Sequence, residues 1–305
     1  MPVRAAVVGV GYLGQHHARI YSEMDDAELV GVVDIDREKA DALAAKYGCR
    51  ASYDYKDILG YVDALSVVTP TPCHFEIARD CLRAGKDVLV EKPITITVEE
   101  ADELIEESDK KGCIIQVGHL ERYNSAILAA SELIKDPVFL ESERLSPFLV
   151  RATDVDVTLD LMIHDIDIIL SLIAVPVREI RAVGSNVLSG KIDVAKAWLE
   201  FENGCMALAT VSRLSPEKQR RLKIFQKDSY LSIDYQSSEM KRYFRNGEGI
   251  SVDVVSPEKK EPLKEELKDF IRCIQRRERP KVSAVEARNA LKVVLEINKM
   301  IINSA

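Results

Sequence analysis

Three side chains in this 305-residue sequence have the types that acid–base chemistry on a hydroxyl group requires: Lys92, Asp160 and His164. Lys92 stands between Glu91 and Pro93, just after an apolar run, which places it at the end of a predicted strand. An ammonium there can hydrogen-bond a substrate hydroxyl or carbonyl and stabilise the alkoxide that forms as a hydride leaves. The alternative is a solvated surface lysine.

Asp160 and His164 lie one turn apart on an apolar helix predicted over 159–173. At 100° per residue one narrow stripe of that helix is polar. The stripe comprises Asp160, His164, Asp167 and Ser171, and Asp165 points away from it. His164 is a candidate general base because imidazole titrates near neutral pH, and Asp160 would orient its ring and stabilise its cation. The alternative is a core histidine satisfied by an acidic partner.

Four arginines occur singly among apolar or strand-like stretches: Arg122, Arg144, Arg151 and Arg213. A guanidinium pairs well with phosphate, so these residues are candidates for holding a charged substrate such as a sugar diphosphate. The alternative for each is a surface ion pair.

A glycine pattern near the N-terminus predicts a dinucleotide-binding turn. An apolar run leads into Gly9, Gly11 and Gly14, which are spaced G-x-G-x-x-G. Gly9 permits a tight strand-to-helix turn, Gly11 lets a pyrophosphate approach the backbone, and Gly14 lets helix and strand pack closely. The following helix, predicted over 15–24, would present free N–H groups and the positive end of its dipole to the phosphates.

Asp34 ends a second apolar run, 20 residues after Gly14, and its carboxylate would accept hydrogen bonds from an adenosine ribose. Its charge would repel a 2′-phosphate, which favours NAD as the cofactor, whereas the nearby Arg37 leaves NADP as the alternative. An ordinary glycine turn is the competing interpretation. Strand, glycines, helix, strand and acid nevertheless occur in the required order.

The first 120 residues alternate short apolar strands with helices, which predicts an α/β unit with a parallel sheet covered on both faces. The predicted strands span 3–8, 29–34, 64–68, 87–91 and 113–117, and the predicted helices 15–24, 36–47, 73–84 and 98–111. Ligands bind at the carboxyl ends of the strands in such sheets. The expected cofactor contacts are therefore Gly9, Gly11, Tyr12, Leu13, Gly14, Asp34, Thr69, Pro70, His74, Glu91 and Lys92.

Beyond residue 120 consecutive strands follow one another without helices between them, which predicts an α+β unit with an open, mostly antiparallel sheet. The predicted strands span 177–187, 194–202, 205–213, 221–227, 230–235 and 239–245, and two helices follow at 263–276 and 284–302. We therefore expect a dinucleotide-binding domain over 1–120, a substrate and oligomerisation domain over 121–284, and a C-terminal helix over 285–305 that packs back on the first domain.

Composition narrows the function classes. The net charge of −8 predicts no general attraction to nucleic acid or to an acidic membrane surface. Six scattered cysteines without a C-x-x-C pair argue against a zinc site or a disulfide framework and suit a reducing cytoplasm. No metal site is expected, and no apolar run reaches the roughly 20 residues that a membrane helix needs.

These motifs together resemble the Gfo/Idh/MocA oxidoreductase family over essentially the whole chain. The resemblance is carried by the glycine motif, by the segment Ala84–Pro93 that ends in Glu-Lys-Pro, and by the pair Asp160-x-x-x-His164. It implies a Rossmann domain, a second α/β domain whose open sheet forms homodimers or homotetramers, and catalytic roles for Lys92, Asp160 and His164 beside the nicotinamide.

A narrower likeness connects three segments, 118–124, 144–148 and 160–165, to members of the family that oxidise UDP-N-acetylglucosamine at C3. It implies an NAD-dependent dehydrogenase acting on a secondary alcohol of a sugar or sugar nucleotide. The expected substrate contacts are Lys92, Arg122, Arg144, Arg151, Asp160 and His164. The alternatives are another activity of the family, such as a polyol dehydrogenase or an imine or bilin reductase, and a non-catalytic NAD sensor.

Overall fold

The computed structural model describes residues 1–148 and 155–304, with the side chain of residue 304 left out. The chain forms two compact units, one comprising Met1–Leu120 and Glu261–Arg288 and the other Glu121–Lys260 with the residues that follow Arg288. No helix in the described part of the chain has both the length and the apolar character needed to cross a membrane.

The first unit contains six strands and five helices. The strands are β1 (Val3–Val8), β2 (Ala27–Val33), β3 (Arg50–Ser52), β4 (Ala64–Val67), β5 (Asp87–Glu91) and β6 (Ile115–Gly118). The helices are α1 (Tyr12–Glu23), α2 (Arg37–Tyr47), α3 (His74–Arg83), α4 (Val98–Lys111) and, after the second unit, α7 (Pro262–Arg276).

All strand pairs of this sheet are parallel and their spatial order is β3-β2-β1-β4-β5-β6. This is the order of a doubly wound dinucleotide-binding fold, whose ligands lie at the carboxyl edge where the order reverses between β1 and β4. The central strands are apolar because helices cover both faces, and every residue of β4 and β5 is buried. The predicted Rossmann architecture is confirmed.

In the part that the structure describes, the second unit contains eight strands and three α-helices, the last of which begins within the first unit. The strands are β7 (Phe139–Leu145), β8 (Val177–Ser185), β9 (Val194–Phe201), β10 (Met206–Ser212), β11 (Gln219–Phe225), β12 (Ser229–Asp234), β13 (Glu239–Asn246) and β14 (Gly249–Val255). The helices are α5 (Ser125–Ser131), α6 (Ile163–Ile173) and α8 (Ala284–Ser304), and a π-helical turn, Thr158–Met162, leads directly into α6.

The eight strands form one open sheet in the order β14-β13-β12-β11-β7-β10-β9-β8, and only the β7–β10 pair is parallel. Alternate residues of each central strand face a core shared with the three helices. In β10, for example, Ala207, Ala209 and Val211 are fully buried. The predicted open, mostly antiparallel sheet is confirmed.

The division of the chain differs from the predicted one at its C-terminal end. Helix α7 buries Leu267 and Phe270 in the core of the first unit, although we expected that segment in the second domain. Helix α8 buries Val294 and Ile297 in the core of the second unit, although we expected it to pack on the first domain. Both helices are amphipathic, and amphipathicity alone does not identify the sheet that an apolar face will cover.

Candidate functional site

The glycine turn after β1 has the geometry that its sequence predicts. Gly9 has φ +91°, a conformation that L side chains rarely adopt, and a Cβ at Gly14 would lie 1.9 Å from the carbonyl oxygen of Gly9. A Cβ at Gly11 would meet nothing within 4 Å, so the space above the turn is open. No side chain caps the N-terminus of α1, and Tyr12 at its first turn is 84% exposed while Leu13 is half-buried.

Asp34 follows β2 at the same edge and supports the turn directly. Its Oδ2 accepts a hydrogen bond from the N–H of Val10 at 2.8 Å, and its Oδ1 accepts one from the N–H of Asp36 at 2.9 Å. A carboxylate oxygen has more than one acceptor site, so the half-buried side chain can brace the turn and still accept hydrogen bonds from a ribose.

The segment after β4 completes this edge. The Oγ1 of Thr69 is buried without a hydrogen-bond partner among the described residues, whereas Pro70 is exposed. His74 is 1% exposed, and its ring lies between two carbonyl oxygens: Nδ1 is 2.9 Å from that of Pro93 and Nε2 is 2.7 Å from that of Thr69. Both ring nitrogens lie within hydrogen-bond distance of a carbonyl oxygen, so His74 braces the edge, and its expected contact with the cofactor stays a prediction.

Lys92 stands at the end of β5, half-buried, and Glu91 is buried beneath it. One Glu91 oxygen lies 3.3 Å from Nε2 of His17 in α1, close enough for an ion pair but poorly angled for a hydrogen bond, and the other accepts the N–H of Lys92 at 3.3 Å. A Cβ at Gly118 would come within 2.6 Å of the same carboxylate. Glu91 was an expected cofactor contact, but these contacts make it the buried support of Lys92.

Asp160 and His164 lie in the second unit, and both are half-buried. Asp160 belongs to the π-helical turn, and His164 is the second residue of α6. Asp156 anchors this turn: its carbonyl accepts the N–H of Asp160 at 3.0 Å, and its carboxylate accepts the N–H of Ile192 at 2.9 Å. π-Helical turns are rare and occur frequently at functional sites.

One member of the expected stripe is buried. Asp167 is 2% exposed and its carboxylate lies 3.4 Å from Arg122, whereas His164 is half-buried. Asp165 is also buried, in agreement with its expected direction away from the stripe.

Arg144 was an expected substrate contact, but it is 1% exposed and fully engaged inside the second unit. Its Nε and one terminal nitrogen donate to the two oxygens of Asp165 at 2.8 and 3.1 Å, and its other terminal nitrogen donates to Glu121 at 2.9 Å. Although burial opposes the charge, these carboxylates outweigh it and raise the pKa of the Arg144 guanidinium above its ordinary value. Arg144 therefore stabilises α6, the helix that carries His164, through its buried ion pair with Asp165.

The other predicted arginines have different surroundings. The side chain of Arg122 is 14% exposed beside Asp167. Arg213 is buried, lies 3.8 Å from the Asp193 carboxylate and donates to the carbonyl of Val155, so it connects the segment before the π-helical turn to the start of β9. Arg151 lies outside the described residues.

Three supporting residues were missed by the sequence reasoning: His17, Glu121 and Arg220. His17 follows Gly14 by three residues, on the helix that begins at the glycine turn, and that position is a usable signal. Glu121 accepts hydrogen bonds from Arg144 and Arg220. Its role depends on strand pairing across the sheet, which spacing alone does not reveal.

The first unit fits a dinucleotide. The open backbone at Gly11, the uncapped start of α1 and the orphan hydroxyl of Thr69 are all features that a bound pyrophosphate and ribose would satisfy. The first unit thus has the features of the dinucleotide-binding domain of an oxidoreductase.

Comparisons with known proteins agree with this class. Residues 3–119 match the model of the oxidoreductase family with an NAD-binding Rossmann fold, and residues 139–231 match the GFO/IDH/MocA C-terminal domain. The UDP-N-acetylglucosamine 3-dehydrogenase of Acidithiobacillus ferrooxidans is 36% identical over 302 residues, covering 97% of this chain and 96% of that protein. A solved structure of this relative superposes with a TM-score of 0.95 over 99% of this chain and 98% of its own, at 35% identity.

A more distant relative, the scyllo-inositol 2-dehydrogenase (NAD(+)) of Bacillus subtilis, is 29% identical over 233 residues, covering 70% of this chain and 68% of that protein. The chain belongs to the Gfo/Idh/MocA family of oxidoreductases. It is an NAD-binding dehydrogenase of CH–OH groups, and NADP remains the alternative cofactor.

Proposed function

We propose that this protein oxidises the C3 hydroxyl of UDP-N-acetylglucosamine, or of a closely similar sugar nucleotide, with NAD as the hydride acceptor. The observation that carries the proposal is the end-to-end similarity to the Acidithiobacillus ferrooxidans 3-dehydrogenase, at 36% identity and with almost complete coverage of both chains. The proposal is also supported by the side-chain types of Lys92 in the first unit and of Asp160 and His164 in the second, which are those that acid–base chemistry on a hydroxyl group needs.

His164 and Lys92 would have different roles in the loss of the hydroxyl proton. A ring nitrogen of His164 accepts the proton, while the Lys92 ammonium hydrogen-bonds the same oxygen and stabilises its developing negative charge. Asp160 stabilises the imidazolium that results. The nicotinamide of bound NAD supplies the acceptor for the hydride that leaves the substrate carbon.

The support beneath Lys92 suggests how its position is maintained. The buried Glu91 carboxylate accepts the backbone N–H of Lys92 and contacts His17 of the cofactor-binding helix. Catalysis depends on such fixed geometry, because misplacement of a catalytic group by about 1 Å can cost about 100-fold in rate. His17 and Glu91 are thus positioning residues in this proposal.

The test is a pair of single variants, Lys92→Ala and His164→Ala, assayed with UDP-N-acetylglucosamine by the absorbance of NADH. Loss of a general base or of an alkoxide donor costs about 100-fold or more in kcat. Affinity for NAD, measured by fluorescence titration, should stay near that of the unmodified protein. Lys111→Ala, at an exposed lysine in the last turn of α4, is the control for loss of a positive charge. Near-normal kcat in both test variants would refute the assignment.

Polyol oxidation is the second candidate, favoured by the similarity to scyllo-inositol 2-dehydrogenase. Comparison of kcat/KM for UDP-N-acetylglucosamine, N-acetylglucosamine and scyllo-inositol separates the two. The proposal requires that removal of the nucleotide diphosphate greatly lowers kcat/KM. A preference for the free polyol would favour the second candidate.

We also propose that the open sheet forms a homodimer or homotetramer. Its face away from the helices carries stacked aromatic rings, with centroid separations of 5.7, 4.8 and 5.2 Å along Phe139, Phe225, Tyr230 and Tyr243. The exposed Ile250 and Val252 of β14 extend this apolar face. Sedimentation of the protein as a monomer would refute the proposal.

A reducing compartment such as the cytoplasm is the proposed location, because all six cysteines carry free thiols.

A further inference from the structure

The start of β11 carries two cations that the sequence reasoning did not select, Lys218 and Arg220. Lys218 is exposed and Arg220 is half-buried, with 33% of its side chain accessible. Lys218 immediately precedes β11, and Arg220 is the second residue of that strand.

Two hydrogen bonds hold the backbone that carries these cations. The carbonyl of Arg220 accepts the N–H of Tyr235 at 3.0 Å, and the carbonyl of Lys218 accepts the side-chain amide of Gln236 at 3.0 Å. Arg220 lies directly opposite Arg144 in the β7–β11 pairing. Two guanidinium groups thus lie side by side, an arrangement that is unfavourable without shared anions.

The available carboxylates do not balance this charge. Glu121 accepts Arg220 at 3.3 Å, but it also accepts Arg144 at 2.9 Å, and Asp165 is occupied by two nitrogens of Arg144. Three cations therefore share two carboxylates. Arg220 offers further N–H donors that have no partner among the described residues, because only one of its five appears in a hydrogen bond.

The pKa values of both cations are lowered, and neighbouring positive charge contributes to each change. Arg220 lowers the pKa of Lys218, and partial burial adds to the effect. Burial and then Arg144 lower the pKa of Arg220, while Glu121, Asp165 and, more weakly, Asp160 oppose the change. Because the Asp160 carboxylate acts on Arg220, the two cations lie in the neighbourhood of the proposed acid–base pair.

We propose that Lys218 and Arg220 bind the diphosphate of the nucleotide-sugar substrate. This inference rests on the proposed function and names the part of the site that distinguishes a sugar nucleotide from a free sugar. A diphosphate would take one phosphate on the ammonium and present the other to the planar fork of the guanidinium. It would also supply the negative charge that the local carboxylates lack. Arg144 and Arg213, the arginines first considered for this role, are buried and engaged elsewhere.

The experiment measures binding of UDP by calorimetry, without turnover, for the unmodified protein, Lys218→Gln and Arg220→Gln. Each variant should weaken UDP binding about tenfold, since a charge-assisted hydrogen bond is lost. The control is Lys227→Gln, an exposed lysine just beyond the other end of the same strand, whose UDP affinity should not change. Lys218 is exposed, so its variant will fold even if Arg220→Gln destabilises the support of Glu121.

Kinetics supply the second measurement. In Lys218→Gln the KM for UDP-N-acetylglucosamine should rise about tenfold, whereas kcat should stay within about twofold and the KM for NAD should not move. Unchanged UDP affinity in both variants, or an effect on NAD in place of UDP, would overturn the inference. If UDP binds as expected but UDP-N-acetylglucosamine is not oxidised, the proposed function fails and the diphosphate site stands. If the unmodified protein oxidises the sugar nucleotide but Lys218→Gln leaves the KM unchanged, the proposed function stands and the diphosphate site fails.

Discussion

Replacing Arg144 by Met should destabilise the second unit strongly, because it removes the cation from a buried charge cluster. Arg144 is 1% exposed and makes three hydrogen bonds of 2.8–3.1 Å to Asp165 and Glu121. Without it, Asp165 loses both donors, whereas Glu121 keeps Arg220. Breaking a buried pair by removing one partner costs about 3–5 kcal/mol. For a unit of this size, that corresponds to a fall in Tm of roughly 10 °C or more.

The assay is urea unfolding followed by tryptophan fluorescence. The sequence has a single tryptophan, Trp198, and it lies in β9 of the second unit, so its emission reports on the unit that carries the change. The matched control is Arg221→Met on the opposite face of β11, where the side chain is 50% exposed and 3.8 Å from Asp234. An exposed pair of this kind contributes at most about 1 kcal/mol.

A double variant tests the physical reason for the loss. Arg144→Met combined with Asp165→Leu removes the carboxylate that has lost its donors, so it should be more stable than Arg144→Met alone by at least about 1 kcal/mol. The reasoning is refuted if Arg144→Met and Arg221→Met unfold within about 1 kcal/mol of each other, or if the double variant is the least stable of the three.

Two further predictions concern the glycine turn and a buried acid. Gly14→Ala places a Cβ 1.9 Å from the Gly9 carbonyl and should weaken NAD binding at least about tenfold in a fluorescence titration. Gly60→Ala, where a Cβ meets nothing within 4 Å, should leave it unchanged. Asp193 is buried, which opposes ionisation, but hydrogen bonds from Ser189 and neighbouring backbone N–H groups hold its pKa at about 2. Because this lies below the unfolded pKa near 3.9, its ionisation stabilises the fold above about pH 4, and that contribution is lost as pH falls toward 2. Asp193→Asn should therefore cost about 2 kcal/mol at pH 7 and progressively less below pH 4 in denaturant titrations, and a pH-independent difference would contradict this account.

The first unit was largely predictable because its strands are buried on both faces and therefore read as apolar runs. The predicted bounds of β1, β5 and α4 match the structure, those of the other predicted elements differ by a few residues, and the short strand β3 was not predicted. Helix ends are marked locally: Thr97 and Glu100 form a reciprocal capping box at the start of α4. Fold and cofactor class follow from such local signals.

Strand β7 shows where local reasoning stops. Its sequence alternates between the two faces of the sheet, but one buried position is Arg144, so the segment does not show the usual apolar period of two. The arginine is tolerated inside because Glu121 and Asp165, remote in sequence, supply the opposite charge. The same long-range pairing explains why Arg144 could be mistaken for a substrate contact.

The direction of Asp160 on the predicted helix is a second feature that local sequence does not give. A period of 3.6 residues assumes that the helix is regular from Leu159 onward, but the structure has a wider π-helical turn over Thr158–Met162. The residue directions before and after that turn are therefore not related by a single rotation. Asp160 lies within that turn and His164 lies after it, so a regular helical wheel does not relate their directions.

The π-helical turn also limits how the chain can change in length. A wider turn accommodates one residue more than a regular helix would, so deletion of a single residue within it could restore an ordinary α-helix without disturbing the apolar face of α6. The chain before the turn would keep its orientation, but the residues within the turn would each shift about the helix axis. The carboxylate of Asp160 would be aimed elsewhere while the imidazole of His164 stayed in place. In the function proposed above, such a shortened protein would keep its fold and lose its activity, so the chain length at this turn would matter as much as the identity of the residues it carries.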